Sequence, residues 1–106
     1  MEFNDKQLEI LERYFGYMEL YEKDNLFLET YTNGGVDMII YLDANKNIIE
    51  NLEEYINNFD MDEEIEMYRQ DKTYKNSFTI SESVDDFREW ERYIRRIIKL
   101  LKKANK

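Results

Sequence analysis

The tripeptide Asn33-Gly34-Gly35 lies between two runs rich in β-branched and aromatic residues, and this feature restricts the fold more than any other. The two runs cover residues Leu26–Thr32 and Val36–Leu42. Because Asn-Gly readily adopts the positive φ angles of a tight turn, the pattern predicts a β-hairpin. A lone hairpin is only marginally stable in water, so we expect helices to cover one of its faces.

A first helix is predicted ahead of the hairpin, over residues 5–22. Asn4 and Gln7 have the spacing of a capping box, in which each side chain satisfies a backbone amide at a helix start. The apolar residues that follow recur at helical spacing: Leu8, Leu11, Phe15 and Met18. Gly16 weakens this helix without excluding it.

Three further helices are predicted after the hairpin. The second helix is capped by Asn47, with Glu50 three residues later, and its apolar face is Ile48, Leu52, Tyr55, Ile56 and Phe59. The third is short, is capped by Asp60 with Glu63, and points Met61, Ile65 and Tyr68 inward. The fourth is long, is capped by Ser83, and its apolar residues are Val84, Phe87, Trp90, Ile94, Ile97, Ile98 and Leu101.

Residues 71–77 are predicted as a loop, and Phe78-Thr79-Ile80 is a candidate third strand. The predicted fold class is therefore α+β, with a hairpin and this candidate strand packed against about four helices, in the order α-β-β-α-α-(β)-α. Residues 1–106 are expected to form a single domain, since compact domains commonly have about 100–150 residues.

The composition argues against catalysis and against metal or cofactor binding. The chain has no Cys and no His, which are the usual thiolate ligand and the usual proton shuttle near neutral pH. It also has no Ser-based nucleophile motif and no phosphate-binding glycine loop. We therefore expect no enzyme activity, and a hydrolase built on two carboxylates is the weakest alternative.

One segment partly matches a calcium-binding loop. Asp43, Asn45, Asn47 and Glu54 occupy ligand positions 1, 3, 5 and 12 of an EF-hand loop. The sixth position is Ile48, where the sharp turn needs Gly, and the preceding segment is predicted as a strand. The segment is therefore interpreted as a polar turn before a capped helix, and no metal site is predicted.

Residues 43–66, here called the acidic tract, carry nine acids and one base. Like charges three or four residues apart destabilise a helix by a few tenths of a kcal/mol per pair, and such breaches of local rules concentrate at functional sites. The alternative is a solvated helix surface that keeps the protein in solution. The candidate partner-binding residues are Glu50, Glu53, Glu54, Tyr55, Asp60, Asp62, Glu63, Glu64, Glu66 and Tyr68.

Charge is unevenly distributed along the chain, whose net charge is −9. Residues 92–106 hold seven bases and no acid. The predicted last helix carries a basic stripe, defined as Arg88, Arg92, Arg95, Arg96, Lys99, Lys102 and Lys103. We interpret it as a solvated helix face that complements the helix dipole, because the negative net charge repels nucleic acid.

The stretch from Leu52 to Tyr68, with its capping residues and dense acids, resembles a segment of small acidic proteins from Firmicutes phages and mobile elements. The resemblance covers residues 47–101 and includes no catalytic motif. In size and charge the protein is also similar to anti-CRISPR and antirestriction proteins, several of which imitate DNA. The resemblance implies a phage-type inhibitor of a host defence protein.

The sequence thus predicts an inhibitor that binds the basic nucleic-acid groove of a host protein, such as a CRISPR effector or a restriction enzyme. The alternative is a structural or regulatory interaction module that uses an apolar, Tyr-rich surface, for which the nine Tyr residues are the argument. We expect no direct nucleic-acid binding, no membrane segment and a cytoplasmic location; a homodimer remains an open alternative, as does the basic stripe as contact surface.

Overall fold

The computed structural model describes residues 1–70 and 80–105, without the side chains of 68–70 and 80–83. It is an α+β fold with four helices and a three-stranded antiparallel sheet in the described part of the chain. The elements in chain order are α1 (Asp5–Tyr14), β1 (Tyr17–Glu19), β2 (Phe27–Tyr31), β3 (Asp37–Tyr41), α2 (Ile48–Asn57), α3 (Met61–Gln70) and α4 (Ile80–Lys103).

The predicted hairpin is confirmed, but the positive φ angle of its turn lies at Gly35 and not at Asn33-Gly34. β2 and β3 pair in register over five residues, from Phe27 opposite Tyr41 to Tyr31 opposite Asp37. Only Gly35 in the turn has a positive φ, of 83°. Its N–H donates to the Thr32 carbonyl at 2.9 Å, which closes a turn that ends in a left-handed glycine.

The first helix is shorter than predicted, because the chain becomes extended at Phe15. The capping box of Asn4 and Gln7 is present, but α1 ends at Tyr14. Residues after Gly16, predicted as helix, form β1, which pairs with β2 from Tyr17 opposite Glu29 to Glu19 opposite Phe27. Glycine disfavours helix by about 1 kcal/mol, and the extended path gains backbone pairing instead.

The third strand of the described sheet is β1, which lies before the hairpin. Phe78 and Thr79, like the predicted loop at 71–77, lie outside the described residues, and Ile80 is the first residue of α4. Ser83, predicted as the cap of the last helix, consequently lies inside it. The observed order within the described residues is α-β-β-β-α-α-α.

The buried side chains of the sheet and of all four helices form one core, and α4 is the common packing partner of the other three helices. Helices α1, α2 and α3 each pack against α4. The core consists of buried side chains from both layers: Leu11, Phe15, Leu28, Met38, Ile40, Ile48, Leu52, Ile56, Ile65, Phe87, Trp90, Ile94, Ile97 and Leu101. No helix within residues 1–70 and 80–105 combines the length and the apolar character that crossing a membrane requires.

Two buried polar residues hold the connections between elements. Asn51 on α2 accepts from the Asp43 N–H at 2.7 Å and donates to the Asn47 carbonyl at 2.9 Å, which fixes the turn between β3 and α2. Asp86 on α4 accepts from the Thr32 hydroxyl and, at 2.9 Å, from the Gly34 N–H. Asp86 therefore ties the hairpin turn to α4.

Candidate partner-binding surface

The acidic side chains of α2 and α3 are arranged by the two predicted helix caps. The Asn47 side chain accepts from the Glu50 N–H at 2.8 Å, which starts α2. The Asp60 carboxylate accepts from the N–H groups of Asp62 and Glu63, at 3.0 and 3.2 Å, which starts α3. With the apolar residues of both helices turned into the core, the carboxylates are directed outward.

Five of the ten predicted partner-binding residues gather around one open groove of about 510 Å³, here called the acidic groove. The groove lies between α2, α3 and the turn that follows β3. The predicted residues that line it are Glu54, Tyr55, Asp60, Glu63 and Glu64. Asp43 and Tyr41 complete its rim on the side of the sheet.

Lys46 is the one base among the described residues that line this groove. Its ammonium group contacts both oxygens of the Glu54 carboxylate at 2.6 Å and lies 4.0 Å from Asp43 Oδ2. The hydrogen bond to Glu54 raises the pKa of Lys46, so its positive charge is held firmly. Asp43 and Glu54, two of the residues that match the EF-hand loop, therefore both lie close to Lys46.

The floor of the groove is formed in part by Tyr55, which is mostly buried. The Trp90 indole N–H donates to the Tyr55 hydroxyl oxygen at 2.9 Å, linking α2 to α4. Burial raises the pKa of Tyr55 to about 12, so the phenol stays neutral at physiological pH. Burial, and then the charges of Glu63 and Asp60, raise the pKa of Glu64. The ionised form of Glu64 is thus less favoured than that of a fully solvated carboxylate.

The other five predicted residues lie outside the groove. Glu50 is exposed in the first turn of α2 and accepts from the Asn47 side chain at 2.9 Å. Glu53 points toward the last turn of α4, where its carboxylate lies 3.1 Å from the Lys102 ammonium. Asp62 and Glu66 are exposed on α3, and the side chain of Tyr68 lies outside the described set. The predicted surface is therefore a groove flanked by further acids, with two carboxylates paired to lysines.

The basic stripe occupies the solvent-facing side of α4, where all seven residues are exposed. Arg95 pairs with Glu91 one turn earlier, at 3.2 Å. Lys102 forms the pair with Glu53 already described. The stripe therefore joins the acidic tract at the C-terminal end of α4.

A second exposed surface, the outer side of the sheet, was not among the predicted site residues. It carries the exposed side chains Tyr17, Tyr31 and Tyr41, which are 66%, 67% and 75% accessible. Phe27 and Ile39 lie among them, with Tyr17 stacked on Phe27 at 6.1 Å between ring centroids. We call this set of five residues the aromatic face.

Three carboxylates stand between the rings of the aromatic face. The strand register directs Glu19, Glu29 and Asp37 to the same side of the sheet as the five apolar residues. A hydrogen bond between Glu29 and Asp37 raises the pKa of Glu29. The sequence gives little signal for this face, because apolar residues such as Ile39 and Ile40 occur on both sides of the sheet. In the structure, exposed and buried positions alternate along Asp37–Tyr41, and the register places the odd-numbered residues of the three strands on one face.

Comparison of the chain with protein-family models, with curated proteins and with solved structures gave no match. The function is therefore argued from the two exposed surfaces.

Proposed function

We propose that this protein inhibits a nucleic-acid-binding protein, of the kind that phages direct against host defences, by placing the acidic tract in that protein's basic groove. The observation that carries the proposal is the row of outward-facing carboxylates on α2 and α3 around a groove that contains a single lysine. The proposal includes no catalytic step and no cofactor.

Spacing supports the proposal. Carboxylates three or four residues apart on a helix stand about 5–6 Å apart at Cβ, which is close to the separation of successive phosphates along a nucleic-acid strand. Glu50 and Glu54 have this relation on α2, and Asp60 and Glu64 have it across the start of α3. A groove lined with Lys and Arg for phosphates can form the same charge-assisted contacts with such a row.

Local energetics support it as well. Glu64 stands one helical turn from Asp60 and beside Glu63. Burial raises its pKa most and the charges of Glu63 and Asp60 raise it further, so the ionised carboxylate is disfavoured in the free protein. A partner rich in Lys and Arg would relieve the repulsion on binding, so part of the cost paid in the free protein returns as affinity. A carboxylate surface that served only for solubility would gain nothing from this arrangement.

A second candidate function is supported by a separate observation, the exposure of the aromatic face. Tyr and other aromatic residues are enriched at protein interfaces, where a rigid ring supplies contact area at low entropic cost. The protein would then be a structural or regulatory interaction module. Binding through this surface would depend less on salt than binding through the acidic tract, which would weaken steeply as salt rises.

The test is capture by the immobilised protein from a bacterial lysate, followed by competition with duplex DNA. The expected result is retention of a nucleic-acid-binding protein that excess DNA releases, with an affinity that falls steeply between about 50 and 200 mM salt. The variant with Asp62→Asn and Glu63→Gln should retain less of this protein and should show a shallower salt slope. These two residues are preferable to Glu53 and Glu54, because neutralising either of those would leave a lysine without its carboxylate.

The matched control carries Glu9→Gln and Glu12→Gln on α1, which change the net charge equally at two exposed positions. It should retain the partner as the unmodified protein does, and circular dichroism should show both variants folded. If both variants lose the partner equally, the effect comes from net charge and not from the acidic tract, which would contradict the proposal. Retention that DNA does not compete would contradict nucleic-acid mimicry and favour the interaction module.

A further inference from the structure

Among the described residues, strand β3 is an edge of the sheet, and one side of its backbone is unpaired. The Leu42 N–H donates to the Leu26 carbonyl and the Thr32 N–H to the Val36 carbonyl, both at 2.9 Å. Because bonded and non-bonded pairs alternate along an antiparallel ladder, the even-numbered residues of β3 bond to β2. Asp37, Ile39 and Tyr41 therefore direct their N–H and C=O groups away from the sheet, and no described residue bonds to them.

This edge lacks most of the devices that prevent another strand from adding to it, since Asp37 is the one charged residue of β3. Edge strands are commonly blocked by Lys, by Pro, by a bulge or by very short length. β3 pairs with β2 over five consecutive residues without a bulge, and its sequence contains neither Lys nor Pro. Its open side is thus a regular template for an extended polypeptide.

The side chains beside this edge specify what kind of polypeptide fits. A strand added antiparallel to β3 would place the residues opposite Asp37, Ile39 and Tyr41 on the aromatic face. That face presents rings and carboxylates, and no Lys or Arg on the three strands points to it. Arg matches both features, because its planar guanidinium stacks on aromatic rings and binds carboxylates through two hydrogen bonds.

We propose that β3 accepts an extended, arginine-bearing segment of a partner protein as a fourth, antiparallel strand, with its arginines lying on the aromatic face. The intervening residues of that segment would be apolar, since they would lie beside Met38 and Ile40 on the core side of the sheet. A guanidinium near Asp37 and Glu29 would also pair with two neighbouring carboxylates, whose interaction raises the pKa of Glu29. The inference does not depend on the acidic tract.

A second copy of this chain is a poorer occupant than such a segment. Antiparallel pairing of β3 with its own copy centred on Ile39 would bring a further Asp37 to the face and no base. The net charge of −9 on each copy also opposes this association.

The experiment measures binding of a fluorescently labelled peptide of alternating Arg and Val, by anisotropy at about 150 mM salt, where the screening length is about 8 Å. Replacing every Arg with Lys should weaken binding at least about fivefold, because Lys lacks the planar group. N-methylation of the Arg residues, whose N–H groups would pair with β3, should abolish binding, whereas N-methylation of the Val residues should not. If the peptide methylated at Arg binds as tightly as the peptide methylated at Val, or more tightly, strand addition is contradicted.

Variants of the protein locate the peptide. Tyr41→Ser should weaken binding, and Tyr21→Ser is its matched control, because both rings are 75% exposed and Tyr21 lies in the loop after β1, off the sheet. Likewise Asp37→Asn should weaken binding and Asp24→Asn, in that same loop, should not. Equal effects within either matched pair overturn the inference.

Amide hydrogen exchange gives a readout that is independent of affinity. The N–H groups of Ile39 and Tyr41 should exchange rapidly in the free protein and slow at least tenfold when the peptide is added. Slow exchange without peptide, together with a dimer in solution, would mean that a second copy occupies the edge. Peptide binding that is lost in the Asp62→Asn, Glu63→Gln variant but kept in Tyr41→Ser would place the peptide on the acidic tract. Either result overturns the inference.

Discussion

The acidic tract and the aromatic face carry the same sign of charge in different ways. On α2 and α3 the carboxylates are neighbours on helices, and the Tyr55 ring in the floor of the groove is mostly buried. On the sheet, three carboxylates are separated by exposed rings, among them Tyr31 and Tyr41. The acidic tract offers mainly charge, and the aromatic face offers charge together with contact area.

This difference indicates which chemical groups of a partner each surface can recognise. Charge alone acts over about a Debye length, depends on salt and discriminates little between Lys and Arg. Rings with interleaved carboxylates act at contact distance and favour the planar guanidinium. Each surface also has its own buried anchor, Asn51 for the acidic groove and Asp86 for the hairpin, so the two can be perturbed separately.

Replacing Asp86, the buried residue that ties the hairpin turn to α4, should lower the stability more than any other change. Asp86→Ala removes the acceptor for both the Thr32 hydroxyl and the Gly34 N–H, and should lower the free energy of unfolding by about 3 kcal/mol. Asp86→Asn retains one acceptor oxygen and should lose less. Urea denaturation measures both, and equal stability of the Ala variant and the unmodified protein would show that the hairpin turn needs no tie to α4.

The corresponding change on the helical side is Asn51→Ala. It leaves the Asp43 N–H without its acceptor in a partly buried turn, and should cost about 2 kcal/mol. Because the turn between β3 and α2 forms one wall of the acidic groove, amide exchange should accelerate there and not in the turn at Gly34. Uniform acceleration in both turns would contradict the separation of the two regions.

Tyr55→Phe tests the link between the acidic groove and α4. The ring remains and the Trp90 indole N–H loses its acceptor, so stability should fall by about 1 kcal/mol. The indole proton resonance of Trp90, the single Trp, should move upfield as its hydrogen bond is lost. Tyr21→Phe, at an exposed ring, is the control and should change neither quantity.

Glu64→Gln should have the smallest effect on stability and, unlike the other changes, should increase it. The pKa of Glu64 is raised in the folded protein, so the folded state binds its proton more tightly than the unfolded chain and is penalised when the group is ionised. The variant should therefore be a few tenths of a kcal/mol more stable at pH 7. The gain should vanish below the ordinary carboxyl pKa of 4.5, where Glu64 is protonated in both states. Urea denaturation at pH 7 and at pH 4 measures it, and a gain of equal size at both would exclude charge as its cause.

Local sequence signals predicted the elements that depend on neighbouring residues. Asn4, Asn47 and Asp60 act as helix caps in the predicted places, because a cap needs only amides two or three residues away. The hairpin was predicted for the same reason, from the residues that join its strands.

The features that the sequence did not predict depend on contacts between residues that are not neighbours in the chain. The strand β1 has three residues, too few for a periodic signal, and exists through its pairing with β2. The pairing of Glu53 with Lys102 joins residues far apart in the chain, so no local pattern marks Glu53 as partly neutralised. Asn51 did leave a signal, a polar residue on the apolar side of α2 between Ile48 and Leu52, and its burial explains that position.

The position of α4 also has a consequence for how the chain folds during synthesis. Helices α1, α2 and α3 all bury their apolar sides against a helix that the ribosome makes after them. At about 5–20 residues per second, the stretch from Asp5 to Lys103 takes roughly 5–20 s to emerge. Over that interval the apolar sides of three helices lack their packing partner, so folding must await the last helix. Until then the nascent chain is a substrate for chaperones, and its dense negative charge is what keeps neighbouring nascent chains apart.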